Sequence, residues 1–549
     1  MKAKKRYIIS NSIIMVIVLV LTLVGNSVAL KWDGALSQYL GEIGGNSSNT
    51  SGSAYKNEED LLEDQMKTTS QIVEEGTVLL KNDEALPLGK NAKVSVFGIA
   101  SAGKSAGGSG SGEVKGETYD LLSALEKEGM EVNPTLKKFY EESSHVHGSG
   151  SGAGPGGGDA MGDWKIDEVP QSEYTQDITS SYENYGDAAL VVIGRRGGEG
   201  GDLPTEMSRF GQSADRHYLE LSEEEEDLLR AIKDSGKFAK TIVLVNCAAA
   251  MELGFVDQEE YGVDACLWYA GTGKNGIESV TGILAGEMNP SGRLVDTYVY
   301  DDFSAPATQN FGDFRYVNDK GELTGYSYVN YAEGIYVGYR YYETRYEDVV
   351  LGNDKSGAYD YSSVVKYPFG YGLSYSQFEW SDYSLKESDG GYDASVTVKN
   401  VGDVAGKDVV QLYVQAPYTS GGVEKASVVL AGYAKTDELK PGDKHTVNIH
   451  FDKADFASYD YENEKTWMLD EGTYYAAVGK NAHDALNNIL SQKGSSVADG
   501  MTEDGNTDLC QSFTLDAKEL LDTFGGGDTV TNQFDQDIAE DGKYLSRTD

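Results

Sequence analysis

Two stretches carry residue types at spacings that chemistry uses. The first, VFGIASAGKSAGGSGSGE (Val96 to Glu113), sets Gly98, Gly103, Lys104 and Ser105 in the G-x-x-x-x-G-K-S order of a phosphate-cradling loop. The second, VVIGRRGGEGGDLP, sets Glu199 between glycines, with Arg195, Arg196 and Asp202 as charged neighbours. The phosphate reading fails locally. A P-loop lysine and serine open a helix whose N-terminus holds the phosphates. Here AGGSGSG follows Ser105, and each of its four glycines costs a helix roughly 1 kcal/mol relative to alanine. Glu199 keeps two readings at this point. A glutamate on a glycine-rich loop is ordinarily just solvated. At the carboxyl end of an α/β strand, where ligands bind in open parallel sheets, it can serve as an acid or base.

Other candidates offer less. His145 and His147 could chelate a metal, but two ligands at i, i+2 in a polar loop do not make a site. Cys247 and Cys266 sit in apolar, strand-like runs. With Cys510 they make no disulfide or metal framework, and no cofactor is implied. Trp268 and Tyr269 lie at a strand end, where they could stack on a sugar or belong to the core.

Composition narrows the partners. The chain has 549 residues and a formal charge of −43, from 89 acidic against 46 basic side chains. That field repels nucleic acid. The 37 tyrosines on an acidic chain suit a neutral polar ligand such as a sugar, or simply a solubilising surface.

The N-terminus reads MKAKKR and then a long, nearly uncharged run, YIISNSIIMVIVLVLTLVGNSVAL. Its length approaches the roughly 20 residues that span a bilayer, and the basic flank places the rest of the chain outside the cytoplasm. Ser27 and Ala29 offer the alternative of a cleaved signal peptide. The run exceeds the usual h-region of roughly 7–15 residues, which favours an uncleaved anchor. The expectation is a single-pass cell-membrane protein, extracytoplasmic in bulk, with secretion as the alternative.

The elements that must position Glu199 alternate. KVSVFG, AALVVIG, KTIVLVN and DACLWYA read as strands. TYDLLSALEKEG, LSEEEEDLLRAIKDSG and NGIESVTGILAG read as helices, the second with a capping box from Ser222 to Glu225. Strands separated by such helices predict a mainly parallel sheet covered on both faces. From about Gln377 short alternating strands follow one another with no helix between, which predicts an antiparallel β-sandwich. The expected fold class is therefore α/β, a mainly parallel α/β sandwich followed by an antiparallel β-sandwich, with an N-terminal transmembrane helix. The boundaries read as 1–30 for the anchor or signal, 31–60 for a linker, 61–376 for the α/β part, 377–490 for the β-sandwich and 491–549 for a tail.

The chain resembles glycoside hydrolase family 3, the β-glucosidase type. The stretches that carry the likeness are EEGTVLLKNDEALPL, GGSGSG, VVIGRRGGEGGDLP, NPSGRLVDTYVYD, YAEGIYVGYRYYET and YPFGYGLSYSQFEW, in the expected order from about Glu74 to Trp380. A fibronectin type III-like part carrying VKNVGDVAGKDVVQLYV follows. The resemblance implies a retaining hydrolase acting on an oligosaccharide or β-glycoside. Glu199 takes the general acid/base place of the family's S-G-E-G-x-D-R loop, and Asp202 matches the aspartate of that loop. The glycine-rich loop with Gly108 and Ser109 lies over the sugar. Gly197 and Leu203 depart from the pattern, and Arg195 or Arg196 could replace the arginine that Leu203 displaces. The family's nucleophile is an Asp in a (β/α)8 barrel, and no stretch here reads as eight strand–helix units. Asp163, in GDW, lies in the wrong setting for it. The resemblance thus implies a separate or downstream barrel, in the swapped domain order, and a chain that is the front part of a longer enzyme, a split-gene product or a degenerate member. The non-catalytic alternative is a membrane-anchored carbohydrate-binding or scaffold protein.

Overall fold

The structure is a computed structural model that describes residues 13–22, 24, 25, 55, 57–102, 114, 118–145, 164–195, 202–312, 314–353, 359–523, 529–531 and 543–548. Residues 1–64 and 65–549 form two compact units. In the first, residues 13–22 and 24–25 are helical and their apolar side chains are exposed. Among the described residues no helix is long and apolar enough to cross a membrane, so the spanning helix expected from the sequence is not seen.

The second unit is built on a six-stranded sheet. Its strands are β1 (Val78–Asn82), β2 (Lys93–Phe97), β3 (Glu131–Val132), β4 (Ala188–Arg195), β5 (Thr241–Cys247) and β6 (Ala265–Tyr269), in the order β1-β6-β5-β4-β2-β3. All neighbours are parallel except β1, which runs antiparallel to β6 with Val78 opposite Trp268. Strand β4 is buried along its whole length because both its faces are covered. Val191 and Ile193 point into one core, shared with Leu228, Leu229 and Ile232 of a helix, Glu223–Ser235. Leu190 and Val192 point into the other, under Leu121 and Leu125 of helix Leu121–Lys127 and Ile283 of helix Ile277–Ala285. The helix Glu58–Gly76 crosses the start of Ile277–Ala285, where a Cβ on Gly276 would lie 2.4 Å from Val73 Cγ2. Asn275 Nδ2 donates there to Met66 O at 3.0 Å and to Ser70 Oγ at 2.7 Å.

A two-stranded ribbon of β7 (Tyr298–Val299) and β10 (Val365–Tyr367) and an exposed hairpin of β8 (Arg315–Val317) and β9 (Leu323–Ser327) follow the sheet. The β-sandwich comes next. One layer is β11 (Phe378–Ser388), β12 (Gly391–Asn400) and β15 (Lys444–Asp452). The other orders β14 (Val429–Lys435), β13 (Val409–Gln415), β18 (Gly472–Gly479) and β19 (Cys510–Leu515). A small sheet of β16 (Ser458–Asp460), β17 (Thr466–Leu469) and β20 (Glu519–Leu521) flanks them. Val396, Val410, Leu412, Phe451 and Tyr474 lie between the two layers.

Two features depart from the sequence reading. A helix, Ala482–Gln492, lies inside the stretch expected to hold strands alone. It buries Leu486, Ile489 and Leu490 against Tyr413 and Ala477 on the outer face of the four-stranded layer. Residues 510–521, expected as tail, instead supply β19 and β20, which pair with β18 and β17. The first, CQSFTL, does not alternate strictly and the second, ELL, is only three residues long, so neither gives a clear periodic signal.

The segment YPFGYGLSY joins the α/β part to the sandwich, as its proline and two glycines predict for a non-helical strap. Tyr371 packs in one α/β core, Leu373 and Tyr375 in the other, and Phe369 under the sandwich. Leu373 N donates to Leu79 O at 2.8 Å, and Gly370 N to Leu294 O at 2.8 Å. Gly370 has φ +87°, and a Cβ there would sit 2.0 Å from Gln411 Oε1, so only glycine fits. The aromatics of YVGYRYYET lie at the same junction: Tyr339 packs on Phe369 at 4.6 Å, and Tyr342 and Tyr346 are buried.

A buried ion pair locks the junction. Arg293 Nη2 meets Asp408 Oδ1 at 2.8 Å, and Trp380 Nε1 donates to Asp408 Oδ2 at 2.7 Å. Asp408→Ala would leave a buried cation and two N–H donors unpaired. The expected loss is about 3–5 kcal/mol, read as a lower denaturant midpoint. Asp408→Asn, which keeps an acceptor for Trp380, should lose less. Equal losses for the two would show that the lost charge, not the lost acceptor, accounts for the effect.

Candidate active site

Strands β2, β4 and β5 end along one edge. At the end of β2, Gly98 has φ +94°, and a Cβ would lie 2.4 Å from Val192 O. This glycine of the G-K-S stretch is therefore set by the close passage of β4. Lys104, Ser105, Gly108 and Ser109 fall outside the described residues. Just beyond Gly98, the carboxylate of Glu168 accepts Ile99 N at 2.7 Å and Val169 N at 2.9 Å. Glu168 is buried, and burial pushes its carboxyl up to about 8 against the pull of those two N–H groups.

Strand β4 ends in Arg195. Glu199 and Arg196 lie outside the described residues, and the loop resumes at the exposed Asp202. Arg195 was expected to face substrate. Its side chain is instead buried and all five of its N–H groups have protein acceptors. Nε donates to Tyr218 O at 2.7 Å, and Nη1 to Gly194 O and to Glu225 Oε1, both at 2.8 Å. Nη2 donates to Glu220 O at 2.5 Å and to Glu225 Oε2 at 2.7 Å. A guanidinium has five donors, so none is left for a sugar hydroxyl. Arg195 therefore positions the loop and does not bind through it.

Both feet of the loop meet at one residue. The carbonyl of Tyr218 takes Arg195 Nε before the loop, and its N–H donates to Pro204 O after it at 3.0 Å. The ring of Tyr218 packs on Trp164 at 5.2 Å, with Met207 and Leu203 beside it. Leucine at position 203 thus serves an apolar cluster, which accounts for the departure from an arginine there. Asp163, the partner of Trp164 in GDW, lies outside the described residues.

A polar cluster follows the same edge. His217 Nε2 and Glu252 Oε1 are 3.0 Å apart, and Asp302 N donates to the same oxygen at 2.7 Å. Each of the three residues offers one ligand atom within 4.8 Å of the others, a spacing that could hold a metal ion. His217 Nδ1, however, accepts Leu219 N at 3.3 Å, so the neutral ring carries its proton on Nε2 and donates it to Glu252. The arrangement is a hydrogen-bonded His217–Glu252 pair, with Nε2 occupied and Asp302 joined to it through its backbone N–H. Burial opposes charge on His217, but the Glu252 bond and charge outweigh it and raise its pKa. Burial, helped by the Glu252 charge, pushes Asp302 up to about 7. Asp302 Oδ2 is buried with no hydrogen-bond partner. No local motif announces this cluster, because Asp302 lies 85 residues from His217 and 50 from Glu252.

The remaining candidates are structural. Trp268 donates to Cys247 O at 2.8 Å, and Tyr269 is buried in the core. His145 bonds Asp167 and Glu173, at 3.2 and 3.0 Å, while His147 lies outside the described residues. The three cysteines are free and buried.

A mainly parallel sheet strapped to a fibronectin-like sandwich is the architecture that the comparisons with known proteins match. Residues 77–339 match the Glycosyl hydrolase family 3 C-terminal domain, and residues 408–482 match the Fibronectin type III-like domain. The chain belongs to glycosyl hydrolase family 3. It is 32% identical over 467 residues to a β-glucosidase of Ruminococcus albus, which covers 83% of this chain and 41% of that protein. It is 31% identical over 442 residues to β-glucosidase A of Butyrivibrio fibrisolvens, covering 75% and 49%. Among solved structures, β-glucosidase 3B from Thermotoga neapolitana, in complex with α-D-glucose, superposes with a TM-score of 0.63 at 26% identity, over 84% of this chain and 55% of that one. The chain therefore spans about half the length of the curated relatives it matches.

The cluster gives a pH prediction. Asp302 loses its proton near 3.9 when unfolded and near 7 in the fold. Its contribution to stability is full below about pH 4 and is lost as the pH rises through about 7. Asp302→Asn removes that loss. The variant-minus-parent difference in Tm should grow by about 2–4 °C between pH 5 and pH 8. A difference that stays flat would mean Asp302 is already ionised at pH 5.

Proposed function

We propose that this chain supplies the acid/base half of a retaining β-glycosidase of the β-glucosidase type. The observation that carries the reading is the G-E-G-G-D loop on β4, at a strand-end edge of a family 3 fold whose relatives are β-glucosidases. Glu199 protonates the glycosidic oxygen as the leaving group departs. A carboxylate from a (β/α)8 barrel outside these 549 residues attacks the anomeric carbon. Glu199 then deprotonates the water that releases the sugar. The two carboxyls must stand about 5–5.5 Å apart across the bond. Asp202, Arg196, Gly108 and Ser109 line the sugar side in this reading. Arg195 and the Tyr218 backbone fix the feet of the loop. The apolar N-terminal run anchors the chain in the cell membrane with its bulk outside.

A retaining pair acts as a unit, so one member alone gives little over background. The isolated chain is expected to show no appreciable turnover of aryl β-glucosides or β-xylosides, and activity should appear when a cognate barrel is supplied in cis or as a second chain. In that complex Glu199→Gln should slow substrates with poor leaving groups by about 10²–10⁴-fold and activated aryl glycosides far less, with azide rescuing breakdown of the glycosyl-enzyme. A Glu199→Gln complex that behaves like its parent on every leaving group would reject the assignment. No activity with any barrel would favour a non-catalytic scaffold.

The anchor is tested by fractionation. The protein should sediment with membranes and resist alkaline carbonate extraction. A soluble species beginning at Leu30 would show cleavage instead.

A further inference from the structure

A cavity of about 940 Å³ opens on the sandwich, among the loop after β13, the β16–β17 turn and residues 544–546. That volume lies at the upper end of the roughly 300–1,000 Å³ usual for small-molecule sites. Its walls are fastened by buried polar bonds. Lys425, 4% exposed, donates to Asp470 Oδ2 at 2.5 Å. Asp460, equally buried, takes Glu462 N at 3.1 Å and Asn463 N at 2.9 Å, which fixes the turn that carries Tyr461. Glu424 takes the hydroxyls of Tyr336 and Ser546. Arg547 then pins residues 544–546 in place through Glu347 at 3.1 Å and Asp348 at 2.5 Å.

Three tyrosines and two carboxylates complete the lining. The ring of Tyr459 is held edge-on by Trp467 at 5.5 Å, and its hydroxyl donates to Lys465 O at 3.2 Å. Tyr461, 38% exposed, meets Tyr544 at 5.8 Å. Glu462 and Glu471 stand exposed on the rim, and Asp470, Glu424 and Asp460 have partners within the protein.

The chemistry of this lining selects a ligand class. Five carboxylates against Lys425 and Lys518 repel an anion. An apolar ligand would desolvate Glu462 and Glu471 without pairing them. A chain of sugar rings meets both demands. Its hydroxyls donate to carboxylates, and its C–H faces lie on tyrosine rings that lose little entropy because packing already holds them. We propose that this cavity is a binding site for a neutral oligosaccharide, separate from the strand-end edge and independent of the catalytic reading given above.

The test is calorimetric titration of the full 549-residue chain with cellotetraose, laminaritetraose and xylotetraose, and with trilysine as a cationic probe. At least one tetrasaccharide should bind with 1:1 stoichiometry. Tyr461→Ala and Glu471→Ala, both at exposed positions, should each weaken that binding at least tenfold while leaving the melting temperature in place. Glu199→Gln should not change it. Absence of binding by all three sugars, or binding by trilysine alone, overturns the proposal. So does sugar binding that survives both cavity variants, whether or not Glu199→Gln abolishes it. Because turnover is never measured, failure here leaves the acid/base assignment standing, and failure of that assignment leaves the cavity standing.

Discussion

The pairing of Arg195 with Glu225 organises the strand-end edge of the α/β part. Glu225 belongs to the capping box of the helix that follows β4, so its carboxylate closes Ser222 N and holds a buried guanidinium at the same time. The side chains are 1% and 3% exposed, and breaking such a pair costs about 3–5 kcal/mol because the survivor stays charged and dry. One interaction therefore starts a helix, ends a strand and sets where the loop carrying Glu199 begins. Tyr218 closes that loop on its other side.

Much of the α/β part is written locally. The runs of β4 and β5 are apolar on both faces, and the box at Ser222 and Glu225 marks a helix start without tertiary information. The strap YPFGYGLSY is equally legible, since two kinds of helix breaker bracket its aromatics. Less visible are elements whose form is decided by what they pack against. Strand β1 is a short apolar run that joins β6 antiparallel, and nothing in VLLKN distinguishes that from a parallel neighbour. The helix Ala482–Gln492 begins two residues after a strand pattern and owes its place to the apolar face of the four-stranded layer. At β19 and β20, mixed polarity hides an edge role.

Beside the loop, the sequence misleads in its charges. Two adjacent arginines beside a candidate acid suggest ligand contacts, but Arg195 ends a buried strand and a buried guanidinium must satisfy its donors within the protein. That demand follows from Glu225, thirty residues away. The cluster of His217, Glu252 and Asp302 is still less local, for its members come from the separate connections that follow β4, β5 and β7. Leu203 looks like a lost arginine in the sequence. In the fold it is a member of the apolar cluster on Trp164 and Tyr218.

The strap also bears on how such proteins can be recombined. Gly370 and Gln411 interlock so closely that neither the α/β part nor the sandwich presents a finished surface without the other. A chimera cut between Tyr367 and Ser376 would separate Leu373 from Leu79 and Gly370 from Gln411 at once. Exchange of the sandwich between relatives is therefore workable only when the strap and its contacts on both sides travel together.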